Sequence, residues 1–177
     1  MTRRLRALLT TPAILLLTAC ATAMTGTSDT PSEVPDTELS PAQVCGLLTD
    51  AQQQELSLTN PEMFRVTTND DPQCEWRTTQ VRVVLSLATN GFNIDQVQTT
   101  PGDRVENINV DGHRARVFVN DDDPAAGCGL YLELVQTSYL EIGTLALTAG
   151  QGLVDECALA RTVARYAINN YPAGAPR

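Results

Sequence analysis

Four cysteines restrict the folding of this chain more than any other feature: Cys45, Cys74, Cys128 and Cys157. When oxidised in pairs, they connect segments that are distant in sequence and so limit the arrangements that the chain can adopt. An even number of cysteines indicates such disulfides only in a chain that leaves the reducing cytosol. The N-terminal residues therefore decide how these cysteines are interpreted.

The first 19 residues are typical of an export signal. Arg3, Arg4 and Arg6 form a cationic start, and residues 7–17 are mostly apolar. This apolar run is shorter than the about 20 residues that a helix needs to span a bilayer. The sequence therefore predicts a signal peptide over residues 1–19 and no transmembrane helix.

A fifth cysteine follows directly after this signal. Leu17, Thr18, Ala19 and Cys20 resemble a bacterial lipobox, in which the cysteine thiol is acylated and the signal is cut before it. Two or three acyl chains such as palmitate, at about 0.8 kcal/mol per buried CH₂, make a durable anchor. We expect Cys20 to be lipidated and the protein to be held at the cell membrane on its extracytoplasmic side. The alternative is an ordinary secretory signal with a chance cysteine.

Composition divides the remainder into three parts. Residues 20–39 are small, polar and acidic with interspersed prolines, which predicts a lipidated flexible tether with a span of about 25 Å. Residues 40–172 are long enough for a single folded domain with its own core. Residues 173–177 are expected to be a disordered tail.

The charge, the composition and the motifs of the chain exclude several kinds of partner and chemistry. The net charge is −9, and removal of the three signal arginines leaves the mature chain near −12. Such a surface repels nucleic acid. The chain contains no lysine, which excludes Schiff-base catalysis. No phosphate-binding loop or dinucleotide motif is present, so we expect no cofactor.

The four later cysteines allow three disulfide pairings, and their spacing alone does not choose among them. We favour Cys45–Cys74 and Cys128–Cys157, since each pair closes a loop of about 30 residues and ties a helix to a nearby strand. A redox role is disfavoured because there is no C-x-x-C motif. A zinc site is disfavoured because the short paired spacings of zinc ligands are absent.

Local patterns predict an α+β fold with an antiparallel sheet flanked by helices. Capping signals at Ser40 and Thr49 begin two short helices, and a helical stripe from Leu153 to Tyr171 predicts a long one. Residues 81–88 alternate as a strand, a short helix is expected over residues 93–99, and several hairpins follow. Two further strands are predicted at Phe64 to Thr67 and Cys74 to Arg77. Two hairpins are predicted, one with strands 104–110 and 113–119 around the turn Asp111-Gly112, and one with strands 129–136 and 139–147 around the turn Thr137-Ser138.

The chain resembles a family of actinobacterial lipoproteins, the domain of unknown function 3558. The similar features are the lipobox at Cys20, the segment Cys45-Gly46-Leu47-Leu48-Thr49, the strand start Cys74-Glu75-Trp76, and Cys128 with Cys157 in the last third. They span residues 40–170 of the mature domain. The resemblance implies a membrane-anchored domain without an established activity. It also suggests an α/β/α sandwich of the Mog1/PsbP type.

Several residues are candidates for a binding or catalytic site. Trp76 is expected to pack in the core against a disulfide, with a ligand contact as the alternative. Arg114 and Arg116 alternate on one strand face, which would suit an anionic partner or an ordinary solvated face. His113 is the single histidine and is expected to be a solvated hairpin residue. The acidic runs at Asp70-Asp71 and Asp121-Asp122-Asp123 are expected to be solvated loops rather than calcium ligands.

These observations favour a non-enzymatic module of the cell envelope that binds a protein or a small ligand. No catalytic residue and no metal site is predicted. A carrier of a hydrophobic ligand is the alternative and needs an apolar cavity of several hundred Å³. An envelope hydrolase is less favoured, although Glu133 and Glu141 on adjacent predicted strands would suit one if they lined a cleft about 5–10 Å apart.

Overall fold

A computed structural model describes residues 39–65, 70–89, 93–135 and 138–172. The signal at 1–19, Cys20, almost all of the tether and the tail at 173–177 lie outside the described residues, so the expectations for them stay predictions. The described residues all belong to one compact unit. Within these ranges, no helix has both the length and the apolar character needed to cross a membrane.

The described ranges contain three α-helices and seven β-strands. The helices are α1 (Pro41–Cys45), α2 (Asp50–Glu55) and α3 (Glu156–Asn170). The strands are β1 (Glu62–Arg65), β2 (Pro72–Arg77), β3 (Val81–Ala88), β4 (Asp103–Val110), β5 (His113–Asn120), β6 (Cys128–Val135) and β7 (Ser138–Ala146). Single turns of 3₁₀ helix lie at Ile94–Gln96, Pro124–Ala126 and Thr148–Gly150. The predicted combination of an antiparallel sheet with flanking helices is confirmed.

All seven strands form one antiparallel sheet in the order β1-β2-β3-β7-β6-β5-β4. Strands β4 to β7 form a meander, in which each strand pairs with the next one along the chain. Strand β3 pairs with β7 along its whole length, from Val81 opposite Ala146 to Ala88 opposite Tyr139. The connection from β3 to β4 therefore crosses from the middle of the sheet to its edge.

Capping and turn residues fix the ends of several of these elements where the sequence predicts them. Ser40 and Thr49 cap α1 and α2, and each accepts a hydrogen bond from the backbone N–H three residues later. The side chains of Gln43 and Gln52 accept from the N–H groups of the two caps, which completes both capping boxes. The β4–β5 turn has positive φ at both Asp111 and Gly112, as a type I′ hairpin requires.

Helices α1 and α3 pack on the same face of the sheet, which we call the helical face. Alternate strand residues such as Leu85, Leu130 and Ile142 are fully buried there in one core with both helices. The Asn170 side-chain amide donates to the carbonyl of Leu47 at 2.8 Å and so links the end of α3 to the end of α1. Packing on this face is the main source of the hydrophobic core.

The other side of the sheet, which we call the opposite face, carries a much thinner cover. Residues 93–98, which we call the cover segment, lie against it with Ile94 buried among Ala88 and Tyr139. The short helix expected over residues 93–99 is therefore a single 3₁₀ turn, Ile94–Gln96. The sandwich therefore has α-helices on its helical face, whereas the cover segment adds only a 3₁₀ turn to the opposite face.

Both favoured disulfides are confirmed. Cys45–Cys74 joins α1 to β2, and Cys128–Cys157 joins the start of β6 to the first turn of α3. The expectation that Leu153 begins the buried stripe of α3 is wrong, because its side chain is 76% exposed. The helix begins only at Glu156, after Asp155 caps it by accepting from the N–H of Ala158.

Candidate functional site

Trp76 belongs to the core. Its side chain is fully buried on β2, two residues from Cys74, and its Nε1–H donates to Oε1 of Gln53 at 3.1 Å. The Gln53 amide in turn donates to the carbonyl of Leu48 at 2.7 Å. This burial corrects the alternative of a ligand contact at Trp76, since the indole has no surface to offer.

Arg114 and Arg116 lie on the opposite face, where they hold the cover segment. Arg114 donates to both carboxylate oxygens of Asp95, at 2.9 and 3.0 Å, and to Glu133 at 3.2 Å. Arg116 donates to the carbonyl of Ile94 at 2.7 Å, and its guanidinium lies 5.1 Å from the centroid of the Phe118 ring. Both arginines therefore already have partners within the chain, and the expected anionic partner would have to compete with them.

The histidine and the Asp121 to Asp123 loop make contacts with neighbouring parts of the chain. His113 Nδ1 lies 3.2 Å from the carbonyl oxygen of Glu133 at the end of a hairpin. Asp121 pairs with Arg104 at 3.2 Å, and Asp123 caps the short turn that follows it. Among the described side chains, no group of three or more potential ligands is placed to hold a metal ion.

Asp71 differs from its prediction as part of a solvated loop. Asp70 is exposed, but the Asp71 side chain is only 4% exposed, directly before β2. The N–H of Thr89, after the end of neighbouring β3, donates to Asp71 at 3.4 Å. A carboxylate at this position adds negative charge to the interior of the opposite face.

A cleft of about 280 Å³ lies on the opposite face beside the cover segment. Its floor comes from neighbouring strands, with Tyr131 on β6 and both Tyr139 and Glu141 on β7. Its wall comes from the cover segment through Gln96, Val97 and Gln98. The alternation of β6 and β7 places these three strand side chains on one face, whereas only the tertiary fold places the cover segment beside them.

Glu141 is the ionisable group of greatest interest in this cleft. The Tyr131 hydroxyl donates a hydrogen bond to its carboxylate at 3.2 Å. Burial and the negative charge of Asp71 raise the pKa of Glu141, while the bond from Tyr131 opposes that rise. Burial also raises the pKa of the Tyr131 phenol, and the charge of Glu141 raises it further. Burial in the cleft therefore favours the neutral forms of both groups.

Glu133 and Glu141 have different partners. Both lie on the opposite face, but Glu133 is opposite Tyr139 in the strand register and Glu141 is opposite Tyr131. Glu133 forms an ion pair with Arg114 at 3.2 Å, whereas Glu141 is bonded to Tyr131. The sequence identified both carboxylates but not their separate partners, which depend on the neighbouring strand and the cover segment.

Two further clefts differ from this one in character. A cleft of about 400 Å³ beside the Cys128–Cys157 disulfide is lined mostly by polar and charged residues, including Arg104, Asp121 and Asp155. A groove of about 170 Å³ on the opposite face lies over Gly129 and Gly143, which are paired in the strand register. The first cleft carries several charged side chains, and the groove is smaller than the pockets that usually hold a hydrophobic ligand.

The fold and these clefts define a class of protein: a two-disulfide α+β domain whose candidate site lies on the sheet face away from its α-helices. The chain belongs to the family described as "Protein of unknown function (DUF3558)", whose model matches residues 15–170. This match confirms the predicted resemblance to the domain of unknown function 3558, whereas the lipoprotein character stays a prediction. No curated protein and no solved structure matches the chain, so the likeness to the Mog1/PsbP type is not confirmed.

Proposed function

We propose that this protein is a lipid-anchored, extracytoplasmic binding module without catalytic activity. The observation that carries the proposal is the pairing of Cys45 with Cys74 and of Cys128 with Cys157. Disulfides persist outside the cytosol, so they support export of the chain. The pairing also accounts for four of the five cysteines and leaves Cys20 available for the acylation that its lipobox predicts.

The opposite face is the binding surface in this proposal. Its cleft presents aromatic and polar side chains from Tyr131, Tyr139 and Glu141 beside the cover segment. A tether of about 20 residues, with a span of about 25 Å, would confine this surface to the vicinity of the membrane. Confinement raises the effective concentration of partners that are also held at the membrane.

Acylation is tested in cells that express the full-length chain and are fed an alkyne-tagged palmitate. We expect the wild-type protein to be labelled and its N-terminal peptide to begin at Cys20 with a diacylglycerol mass. Cys20→Ser should abolish the label, whereas Thr18→Ser, which keeps a small residue in the lipobox, should retain it. An unlabelled wild-type protein, or free thiols at the four later cysteines, would contradict the proposal.

Binding at the opposite face is tested by photocrosslinking in intact cells. A photoreactive residue is placed at Gln98, which is exposed and lines the cleft, and in a matched variant at Asn107, which is exposed on β4 outside it. We expect a discrete adduct at position 98 that is absent at position 107. Equal crosslinking at both positions would indicate non-specific contact and contradict a role for the cleft.

Carriage of a hydrophobic ligand is the alternative function. The groove over Gly129 and Gly143 is the apolar feature in its favour, but its volume of about 170 Å³ is below that of typical ligand pockets, about 300–1,000 Å³. Organic extraction of the purified protein followed by lipid mass spectrometry separates the two functions. A stoichiometric lipid besides the anchor would support the carrier.

A further inference from the structure

We infer that the cleft on the opposite face binds a small organic ammonium ion, with the Glu141 carboxylate as its counter-charge and Tyr131 and Tyr139 as its aromatic floor. This inference rests on the proposed function, since it names the ligand class of the same surface. The volume of about 280 Å³ suits a ligand with a few heavy atoms around one cationic nitrogen.

The charges around the cleft favour a cation. Among the residues that the structure describes, the lining contains one carboxylate, Glu141, and no basic side chain. The negative charge of Asp71 also acts on Glu141. A ligand cation would offset the cost of holding the Glu141 charge in a half-buried position.

The arginines of the opposite face do not supply that positive charge. Arg114 lies in ion pairs with Asp95 and Glu133, and Arg116 bonds the carbonyl of Ile94. The carboxylate of Glu141 instead accepts from the neutral hydroxyl of Tyr131. An ammonium group can therefore pair with Glu141 without displacing any of these arginine contacts.

The aromatic residues favour an organic cation over a metal ion. Tyr131 and Tyr139 both line the cleft, with ring centroids 5.6 Å apart in an edge-to-face arrangement. Aromatic rings attract alkylated ammonium groups, and such rings form the known cages for choline-like ligands. A calcium ion would need about six to eight oxygen ligands. The described residues of the lining offer one carboxylate, and Oε1 of Gln96 already accepts from the N–H of Asn93.

Calorimetry on the full-length chain in the neutral detergent dodecyl maltoside tests this inference. Choline chloride is titrated at constant ionic strength, alongside 3,3-dimethylbutan-1-ol, the uncharged compound of the same shape. We expect saturable binding of choline and at least tenfold weaker binding of the neutral compound. Equal affinities, or no choline binding, would overturn the inference, and tighter binding of calcium chloride would indicate a metal site instead. This comparison needs no variant and so does not depend on how a substitution affects folding.

Two matched variants then locate the site. Glu141→Gln keeps the shape of the side chain but removes its charge, and we expect at least a tenfold loss of choline affinity. Glu75→Gln makes the same change on the same face outside the cleft, where Glu75 pairs with Arg82 at 2.8 Å, and should leave the affinity unchanged. An unchanged affinity in Glu141→Gln would place the bound cation elsewhere.

The inference and the proposed function can fail separately. A labelled Cys20 and a specific adduct at position 98, together with no choline binding, would refute the ammonium ligand alone. Choline binding that depends on Glu141 in a chain without acylation would refute the anchor alone.

Discussion

Gly127 has a backbone conformation that essentially only glycine adopts. Its φ is 78° and its ψ is −151°, in the loop that leads into β6. The backbone there passes so close to β7 that a Cβ atom would overlap the carbonyl oxygen of Thr144. Gly112 also has a positive φ, of 92°, but a Cβ atom there would meet no atom within 4 Å.

A comparison of alanine substitutions at these two glycines therefore separates the cost of the backbone conformation from the cost of a close contact. We expect Gly112→Ala to lower the free energy of unfolding by about 1–2 kcal/mol, the usual cost of a left-handed conformation. Gly127→Ala should cost more, about 3 kcal/mol or above, because displacement of packed backbone is added. Urea unfolding of both variants measures the difference. Equal losses would mean that the loop moves freely away from Thr144.

Glu141 makes stability depend on pH in a direction set by its raised pKa. Between the ordinary glutamate pKa, about 4.3, and the raised folded value, the folded chain holds a proton that the unfolded chain has lost. Stability from this residue therefore falls as pH rises through that window. We expect Glu141→Gln to unfold at higher urea than the wild-type protein at pH 7, with the advantage vanishing below about pH 4.

A second variant, Tyr131→Phe, tests the same prediction in the other direction. It removes the hydrogen bond that opposes the raised pKa of Glu141, so stability should fall more steeply with pH than in the wild-type protein. Titration of Glu141 by NMR measures the direction of its pKa shift directly. A Glu141→Gln variant with the wild-type dependence on pH would contradict the assignment.

Single residues were predictable from the sequence where one local rule decides their place. The caps at Ser40 and Thr49 and the Asp111-Gly112 turn follow from local hydrogen bonding and backbone conformation. The burial of Asp71 could not be predicted in this way, because it depends on Thr89, which lies 18 residues away. The contacts of Glu141 likewise depend on the tertiary fold.

At the scale of elements, the cover segment is the least embedded part of the candidate site. It contributes one buried side chain, Ile94. It is held from outside by hydrogen bonds from one Arg114 nitrogen to both carboxylate oxygens of Asp95 and from Arg116 to the carbonyl of Ile94. The side chains of Arg114 and Asp95 are both more than half exposed. Such ion pairs contribute about 0–1 kcal/mol, so the segment is expected to open more easily than the sheet beneath it.

Arg114→Ala tests this difference. We expect amide hydrogen exchange in residues 93–98 to accelerate by up to about fivefold, equivalent to about 1 kcal/mol, with little change in the core strands. The matched variant Arg161→Ala removes an ion pair of similar exposure, with Glu106, that does not touch the segment. Exchange at 93–98 that is unchanged, or equally faster in both variants, would show that the Arg114–Asp95 pair does not hold the segment.

The elements themselves were predicted better than their ends. Strand alternation gave β3, and the β4–β5 hairpin follows from its turn. The stripe assigned to α3 extended too far towards the N-terminus because apolar spacing continued to Leu153, whereas the cap at Asp155 starts the helix. Apolar spacing alone does not show where capping hydrogen bonds form.

The order of the strands in the whole molecule is not contained in any local pattern. Alternation and turns predict which strands pair as hairpins, such as β6 with β7. They do not predict that β7 returns to pair with β3, more than 50 residues earlier in the chain. That pairing joins the segment around Cys45–Cys74 to the segment around Cys128–Cys157 in one sheet with one main core.

The β3–β7 seam should therefore control the cooperativity of the whole domain. Leu85 and Ile142 face each other across it and are both fully buried. With both disulfides intact, we expect Ile142→Ala to lower the free energy of unfolding by about 2–5 kcal/mol, the usual cost of a large core truncation. Trp76 fluorescence, which reports on β2, and exchange of β5 amides should still lose their native signals at one urea concentration. Two separate transitions would show that the segments on either side of the seam fold independently, and that this pairing docks them without making them one cooperative unit.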